Sequence, residues 1–241
     1  MSSTPVRLAD VVPFSWVDGP GNRFVVFTQG CPFDCLGCHN PETIAPRGPA
    51  TTDATVEEML ERIREVEPYV SGVTVSGGEA TGQWRFVRDL FTAVRADPQL
   101  GRLTTYVDTN GHALPRVWDE LLPVTDGFMV DLKALDPQVH ERLTGRGNQL
   151  VLDSIRYLHQ QDRLHEVRLL LIPGHNDTTE QLARTAAWLA DLDPDLQTVV
   201  IGFRPHGVRT EFAGTPTTPP ELLGRARRAL EDAGMTDVVT V

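Results

Sequence analysis

Short runs rich in Val, Ile and Phe alternate along this chain with longer stretches whose apolar residues recur at helical spacing. Strands are expected over residues 22–28, 70–76, 103–107, 127–132, 167–172 and 197–203. Thr55-Val56-Glu57-Glu58 reads as a capping box, and Val56, Met59, Leu60, Ile63 and Val66 give the helix behind it one apolar face. Trp84, Val87, Leu90, Phe91 and Val94 mark the next helix. Further helices are expected over 115–122, from Asp136-Pro137, over 150–160, from Asp177 and Glu180 through Ala190, and over 219–232. Residues 237–241 are a candidate terminal strand, 1–21 read as an extended lead-in, and 41–54 read as a loop. Strand–helix alternation implies a parallel sheet with right-handed crossovers. Six such units fall short of the eight that close a barrel. The 241 residues fit one α/β domain, divided into lead-in 1–21, core 22–207 and C-terminal extension 208–241.

All three cysteines, Cys31, Cys35 and Cys38, fall between Gly30 and His39, spaced C-x3-C-x2-C. Three is odd, and such close spacing leaves no long loop for a disulfide to staple. Thiolates are soft ligands, suited to zinc or an iron–sulfur cluster. Zinc held by three cysteines and a histidine would have to recruit His39, which adjoins Cys38 and points elsewhere on most backbones, or a distant histidine. Three thiolates on a short loop suit a cubane with one iron left open. With no fourth cysteine, that iron would take a non-protein ligand, and an open coordination position signals chemistry.

The unusual polar residues share one topological location. The cysteine loop, Glu79, Asp108, Asp131, Lys133 and His206 all fall at or just after the C-terminal ends of expected strands, the face that carries the active site in barrels. Gly77-Gly78-Glu79 reads as a tight turn or as a place where backbone meets a ligand. Asp108-Thr109 and Met129-Val130-Asp131 end neighbouring strands and offer oxygen ligands to a hard cation. The plain alternative is two hydrogen-bonded acids, with Asp131 paired to Lys133 or Arg168. Arg168 interrupts an apolar strand and needs an anionic partner, either a ligand carboxylate or Asp131. His112, His140, His159, His165 and His175 read as surface or turn residues, and Trp84, Trp118 and Trp188 as core. No Walker motif and no G-x-G-x-x-G is present, so a nucleotide phosphate is not the expected ligand.

Charge narrows the classes further. With 22 Lys and Arg against 33 Asp and Glu, the net charge is −11. That balance disfavours a nucleic-acid groove. No apolar run is long enough to span a membrane, and the N-terminus lacks a signal-peptide pattern. Reduced, clustered thiols fit the cytoplasm.

The run Val17-Asp18-Gly19-Pro20-Gly21-Asn22-Arg23-Phe24, followed by Phe27-Thr28-Gln29-Gly30-Cys31 and ending Cys38-His39-Asn40, resembles the glycyl-radical-enzyme activases of the radical S-adenosylmethionine (radical SAM) superfamily. The likeness continues to about residue 207 and includes no ferredoxin-like insert at 41–54. It implies a partial (β/α)6 TIM-type barrel, open at one side. It also implies a [4Fe-4S] cluster on Cys31, Cys35 and Cys38. S-adenosylmethionine would be held by Gly77, Gly78, Glu79, Lys133, Arg168 and His206, and a monovalent cation by Asp108, Thr109, Met129 and Asp131. Asp18 would meet the incoming glycine loop of a partner glycyl radical enzyme. Flavodoxin or ferredoxin would be the reductant, and the chain is expected to act as a monomer. Many relatives carry an aromatic residue just before the last cysteine, where this chain has Gly37. Two rival expectations remain: radical chemistry on a small molecule or peptide, and a zinc-binding domain without catalysis.

Overall fold

The computed structural model describes residues 5–241, so the first four residues of the lead-in lie outside the described residues. In chain order, the first elements are β1 (Val6–Ser15), β2 (Arg23–Thr28), β3 (Thr52–Ala54), α1 (Val56–Val66), β4 (Gly72–Gly77), α2 (Trp84–Ala96), β5 (Thr104–Thr109) and α3 (Pro115–Leu121). Next come β6 (Gly127–Asp131), α4 (Pro137–Thr144), α5 (Gln149–Gln160), β7 (Leu164–Leu171) and α6 (Thr179–Leu192), then β8 (Gln197–Gly202), α7 (Pro220–Asp232) and β9 (Val238–Thr240). One sheet takes the order β3-β1-β2-β4-β5-β6-β7-β8-β9. From β2 through β9 every neighbouring pair is parallel. β1 runs antiparallel to both β2 and β3. The two edges, β3 and β9, do not pair with each other, so the sheet curls without closing: the partial barrel of a mixed α/β fold.

The helices form for the reasons legible in their sequences. The Thr55 hydroxyl accepts from Glu58 N–H and the Glu58 carboxylate from Thr55 N–H, completing the capping box of α1, whose Val56, Met59, Leu60 and Ile63 are buried. α6 has a second capping box, but it uses Thr178 and Gln181. Asp177 instead accepts from Gly174 N–H in the turn before it. Trp118 is buried and donates to Ser154 at 2.9 Å, while Trp84 and Trp188 are half-buried against the same core.

Four local expectations differ from the structure. The lead-in is not merely extended: residues 6–15 form an edge-side strand that holds register with β2 through two irregularities. Its Pro13 and charged residues conceal it, since Pro and bulges belong to edges rather than to regular alternation. The 41–54 loop contains a 3-10 turn at Pro41–Thr43 and the short strand β3. The third expected strand runs on to Thr109, which places Asp108 and Thr109 within it. His140, expected at the surface, is fully buried. Its Nδ1 lies 2.9 Å from Arg146 O, and its ring meets Phe33 edge-on at 5.5 Å.

Register decides what faces the concave side. Residues abreast in a parallel sheet share a face, so Phe27 with Ser76, Thr74 with Tyr106, Asp108 with Met129 and Asp131 with Arg168 point the same way. The floor of this interior is a buried cation. Arg23 donates to Thr74 Oγ1 (3.0 Å), Thr104 Oγ1 (2.6 Å), Val73 O (2.8 Å) and Thr104 O (3.0 Å), and lies over the Tyr106 ring. Burial lowers its pKa to about 10, against the opposing pull of Tyr106 and Asp126. The turn at Asp18–Gly21 folds over this layer: Thr74 Oγ1 donates to Asp18 O at 2.7 Å, and Gly19, at φ 122°, sits where a Cβ would meet Met129 and Thr74. Arg23→Ala therefore removes the donor shared by two strand carbonyls and two threonine hydroxyls and empties the floor. A loss of about 3 kcal/mol is expected in urea unfolding, and a loss below about 1 kcal/mol would show that the floor is not structural.

Candidate active site

The cysteine loop runs from the C-terminal end of β2 with little regular structure, yet its backbone is pinned on two sides. Gly30 N–H donates to Thr43 O (2.8 Å) and Cys31 N–H to Ile44 O (3.0 Å). Across the loop, Asp34 N–H donates to Thr144 O and Leu36 N–H to Leu143 O, both at 2.9 Å. Those two carbonyls belong to the last turn of α4, which has no intrahelical donors to offer them. Gly145 ends that helix in the left-handed conformation. The Gln29 amide donates to Glu42 O and Ala45 O, anchoring the other flank. Gly37 is buried, and a Cβ there would press on Ile172, Phe203 and Phe212. Those side chains occupy the space beside this position of the loop.

All three thiols are partly buried and line one cavity of about 1060 Å³. Burial pushes Cys31 up to about 12, with the Glu79 carboxylate adding to it, and Cys35 up to about 11, with Lys133 pulling the other way. Cys38 is raised as well, again by burial. As bare thiols they are poorly poised to ionise, so thiolates here call for a bound cationic group. Among the described residues no three Cys, His, Asp or Glu side chains converge closely enough for a single metal ion. The set fits a polynuclear iron–sulfur cluster better than zinc. His39 is exposed, with its ring against Phe203, and brings no fourth ligand from beside Cys38.

Gly77 and Gly78 have a packing reason for lacking side chains, beside the turn or ligand approach expected of them. At Gly77, φ is 122° and a Cβ would run into the Thr28 backbone; at Gly78 it would lie 2.6 Å from Gly30 O and Thr43 O. The glycines let β4 press against the start of the cysteine loop. Both still line the cavity. Glu79 is buried, and its oxygens are occupied. Oε1 accepts from Thr81 N–H, Thr81 Oγ1 and Thr109 Oγ1, and Oε2 from Asn110 N–H at 2.7 Å. Burial raises its pKa while those donors oppose the rise.

Further along the same face, Asp108 and Asp131 reach the cavity with Lys133, Arg168, Thr109 and Asp18. Lys133 Nζ donates to Asp131 at 2.7 Å. Arg168 does not pair with Asp131. It contacts Asp108 at 3.3 Å and bonds Glu166, two residues back on the same face of β7. Period-two spacing offered that partner in the sequence. Met129 is buried, and its sulfur accepts from Arg168 Nη2 at 3.1 Å. Asp108 rises to about 6 because it is buried, with Arg168 opposing and Asp131 reinforcing; Ser76 Oγ donates to it at 2.7 Å. Burial disfavours the charge of Lys133, but Asp131, Cys35 and Asp108 together outweigh it and raise the pKa. Ser76 and Glu166, which hold Asp108 and Arg168, stand in strands and carry no motif that sets them apart in the sequence.

Asp18 stands at the opposite end of β2 from the cysteine loop, yet lines the same cavity, beside the floor that Arg23 forms. Ser15 Oγ donates to its carboxylate, and Arg168 Nη2 donates to Val17 O. Trp16 and Val17 beside it are 75% and 79% exposed. His206 lies exposed on the loop after β8 and does not line the cavity. That loop is tied to the cysteine loop by the Arg209–Asp34 ion pair.

Three comparisons bear on this site. The Radical SAM superfamily pattern matches residues 25–189. The pyruvate formate-lyase-activating enzyme of Staphylococcus epidermidis is 36% identical over 197 residues, covering 78% of this chain and 76% of that protein. The pyruvate formate-lyase 1-activating enzyme of Escherichia coli K12 is 36% identical over 182 residues, covering 73% and 72%. Among solved structures, a radical SAM methyltransferase from Sphaerobacter thermophilus shares the fold at a TM-score of 0.69 and 18% identity, covering 91% of this chain and 66% of that one. With its three thiols, glycine-flanked glutamate and strand-end acids arranged around one cavity, the chain belongs to the radical SAM superfamily and, within it, to the glycyl-radical-enzyme activases.

Proposed function

We propose that this chain takes a hydrogen atom from a glycine Cα of a partner glycyl radical enzyme, and that Asp18 receives the segment carrying that glycine. The observation that carries this reading is one cavity lined by the three thiols at one end and by Asp18 at the other, in a sheet whose edges do not meet. A lateral opening admits a protein loop, and the exposed Trp16 and Val17 beside Asp18 offer it an apolar surface.

Membership of the superfamily implies a [4Fe-4S] cluster and S-adenosylmethionine. Cys31, Cys35 and Cys38 would hold the cluster. When bound and reduced, it supplies the electron that cleaves S-adenosylmethionine to methionine and the 5′-deoxyadenosyl radical that abstracts the hydrogen atom. The chain's own residues bind, orient and shield. The backbone at Gly77 and Gly78 lines the cavity and would meet the methionine amino group, while Glu79 spends its oxygens on holding that turn. Lys133 and Arg168 bring positive charge to the cofactor carboxylate. His206 reaches the cofactor only if its loop moves. Asp108, Thr109, Met129 and Asp131 take a monovalent cation, which would share the two acids with Arg168 and Lys133. Flavodoxin or ferredoxin delivers the electron, and the chain works as a monomer in the cytoplasm. Among the described residues no helix is long and apolar enough to cross a membrane.

Two outcomes are expected. Asp18→Ala should leave cofactor cleavage within about twofold of wild type and cut the glycyl radical on the partner, or on a peptide spanning its glycine loop, at least tenfold. The readout is the glycyl doublet in electron paramagnetic resonance against 5′-deoxyadenosine formed. A small metabolite consumed by the wild-type chain, with no glycyl signal on any partner, would overturn the reading. Separately, cleavage should depend on which alkali ion is supplied, and Asp131→Asn should flatten that dependence. Equal rates in all alkali salts and in their absence would leave the two acids as ion-pair partners only.

A further inference from the structure

We propose that Asn110 sets the reduction potential of the cluster on the cysteine loop, through a side-chain N–H directed at Cys31 Sγ. The inference rests on the reading that the three thiols hold a redox cluster. Asn110 Nδ2 lies 3.5 Å from Cys31 Sγ, and among the described residues no other side-chain nitrogen donates to any of the three sulfurs. An asparagine amide can be drawn two ways round, but here its neighbours settle the orientation. His112 N–H points at Oδ1 from 2.9 Å, and a backbone N–H can only donate. The amide oxygen therefore faces His112 and the NH2 group faces the sulfur.

The residue is also held in place. Its own N–H donates to Glu79 Oε2 at 2.7 Å, and Glu79 is fixed in turn by Thr81 and Thr109. Asn110 is 7% exposed, so water competes little for the contact. The glutamate after the two glycines is thereby linked to the first cysteine through one residue, by its backbone N–H on one side and its side-chain amide on the other.

The electrostatic consequence has a definite sign. The reduced state carries one more electron, delivered by the one-electron carrier, and no bond breaks and no proton moves. That charge is shared with the thiolates. An N–H dipole aimed at a ligand sulfur stabilises it, and hydrogen bonds to cluster sulfurs are among the levers that set such potentials. Asn110 favours the reduced state and eases electron entry from a weak donor. Asn110 is a positioning residue: it touches a ligand, not the reacting atoms.

The test is a redox titration of anaerobically reconstituted protein, followed by electron paramagnetic resonance of the reduced cluster. Asn110→Leu removes the donor, and Asn110→Asp keeps the shape and the His112 bond but replaces the donor with a charge. At fixed solution potential the ratio of reduced to oxidised cluster should fall roughly fivefold in Asn110→Leu, the worth of one neutral hydrogen bond, and further in Asn110→Asp. Iron content should match wild type. A full complement of iron with an unchanged potential in both variants overturns the proposal, and loss of iron in both shows a clamp on the loop rather than a tuner. A second measurement uses 15N-asparagine labelling and pulsed resonance: the Asn40 N–H beside Cys38 contributes to the nitrogen coupling of the reduced cluster in both proteins, wild type should show a further coupling that Asn110→Leu removes, and identical spectra from the two also overturn the proposal. Failure here with a glycyl radical still formed leaves the proposed function standing, whereas protein that takes up no cluster fails both.

Discussion

The loop that carries the three thiols has almost no hydrogen bonds of its own to hold its shape. Four backbone N–H groups, on Gly30, Cys31, Asp34 and Leu36, are satisfied from outside, two by the 43–44 segment and two by the end carbonyls of α4. Each side solves the other's problem, because a helix end leaves carbonyls without donors and an irregular loop leaves donors without carbonyls. Ligand geometry is thus set by elements far apart in sequence. The close approach of β4, permitted by Gly77 and Gly78, locks the same loop from beneath.

Around that loop the charges form a graded series. On the floor, Arg23 is surrounded by carbonyls and hydroxyls and, among the described residues, has no contacting carboxylate. Above it, Arg168 is shared by Asp108 and Glu166, and Lys133 is bound to Asp131. At the top, burial drives the thiols upward and Lys133 partly offsets it at Cys35. Partly buried acids and bases whose partners leave them cavity-facing are poised to exchange those partners for a ligand, which a tightly closed ion pair would resist.

Much of this was legible beforehand. The six core strands and their helices follow from apolar periodicity, and the strand-end clustering of Glu79, Asp108 and Asp131 follows from the alternation itself. What was not legible depends on contacts that no local pattern encodes. β1 and β3 sit at an edge, where pairing rather than periodicity makes a strand. The arginine of the D-G-P-G-x-R run was visible as part of a motif, but not as the barrel floor. The side chain of Asn110 reaches Cys31 across 79 positions, and nothing in a Thr-Asn-Gly turn announces an amide facing sulfur. His206 follows a strand end as expected, but its loop carries it out of the cavity lining, which strand-end position alone does not reveal.

At the centre of the proposed function, three thiolates would leave one metal position to S-adenosylmethionine inside the shared cavity. Anaerobically reconstituted protein, reduced and examined by electron paramagnetic resonance with and without S-adenosylmethionine, tests this most directly. The expected result is about four irons per chain, a reduced-cluster signal whose g-values shift when S-adenosylmethionine is added, and loss of that response in Cys31→Ala, Cys35→Ala and Cys38→Ala alike. One zinc per chain in place of iron, or a cluster signal indifferent to S-adenosylmethionine, would contradict it.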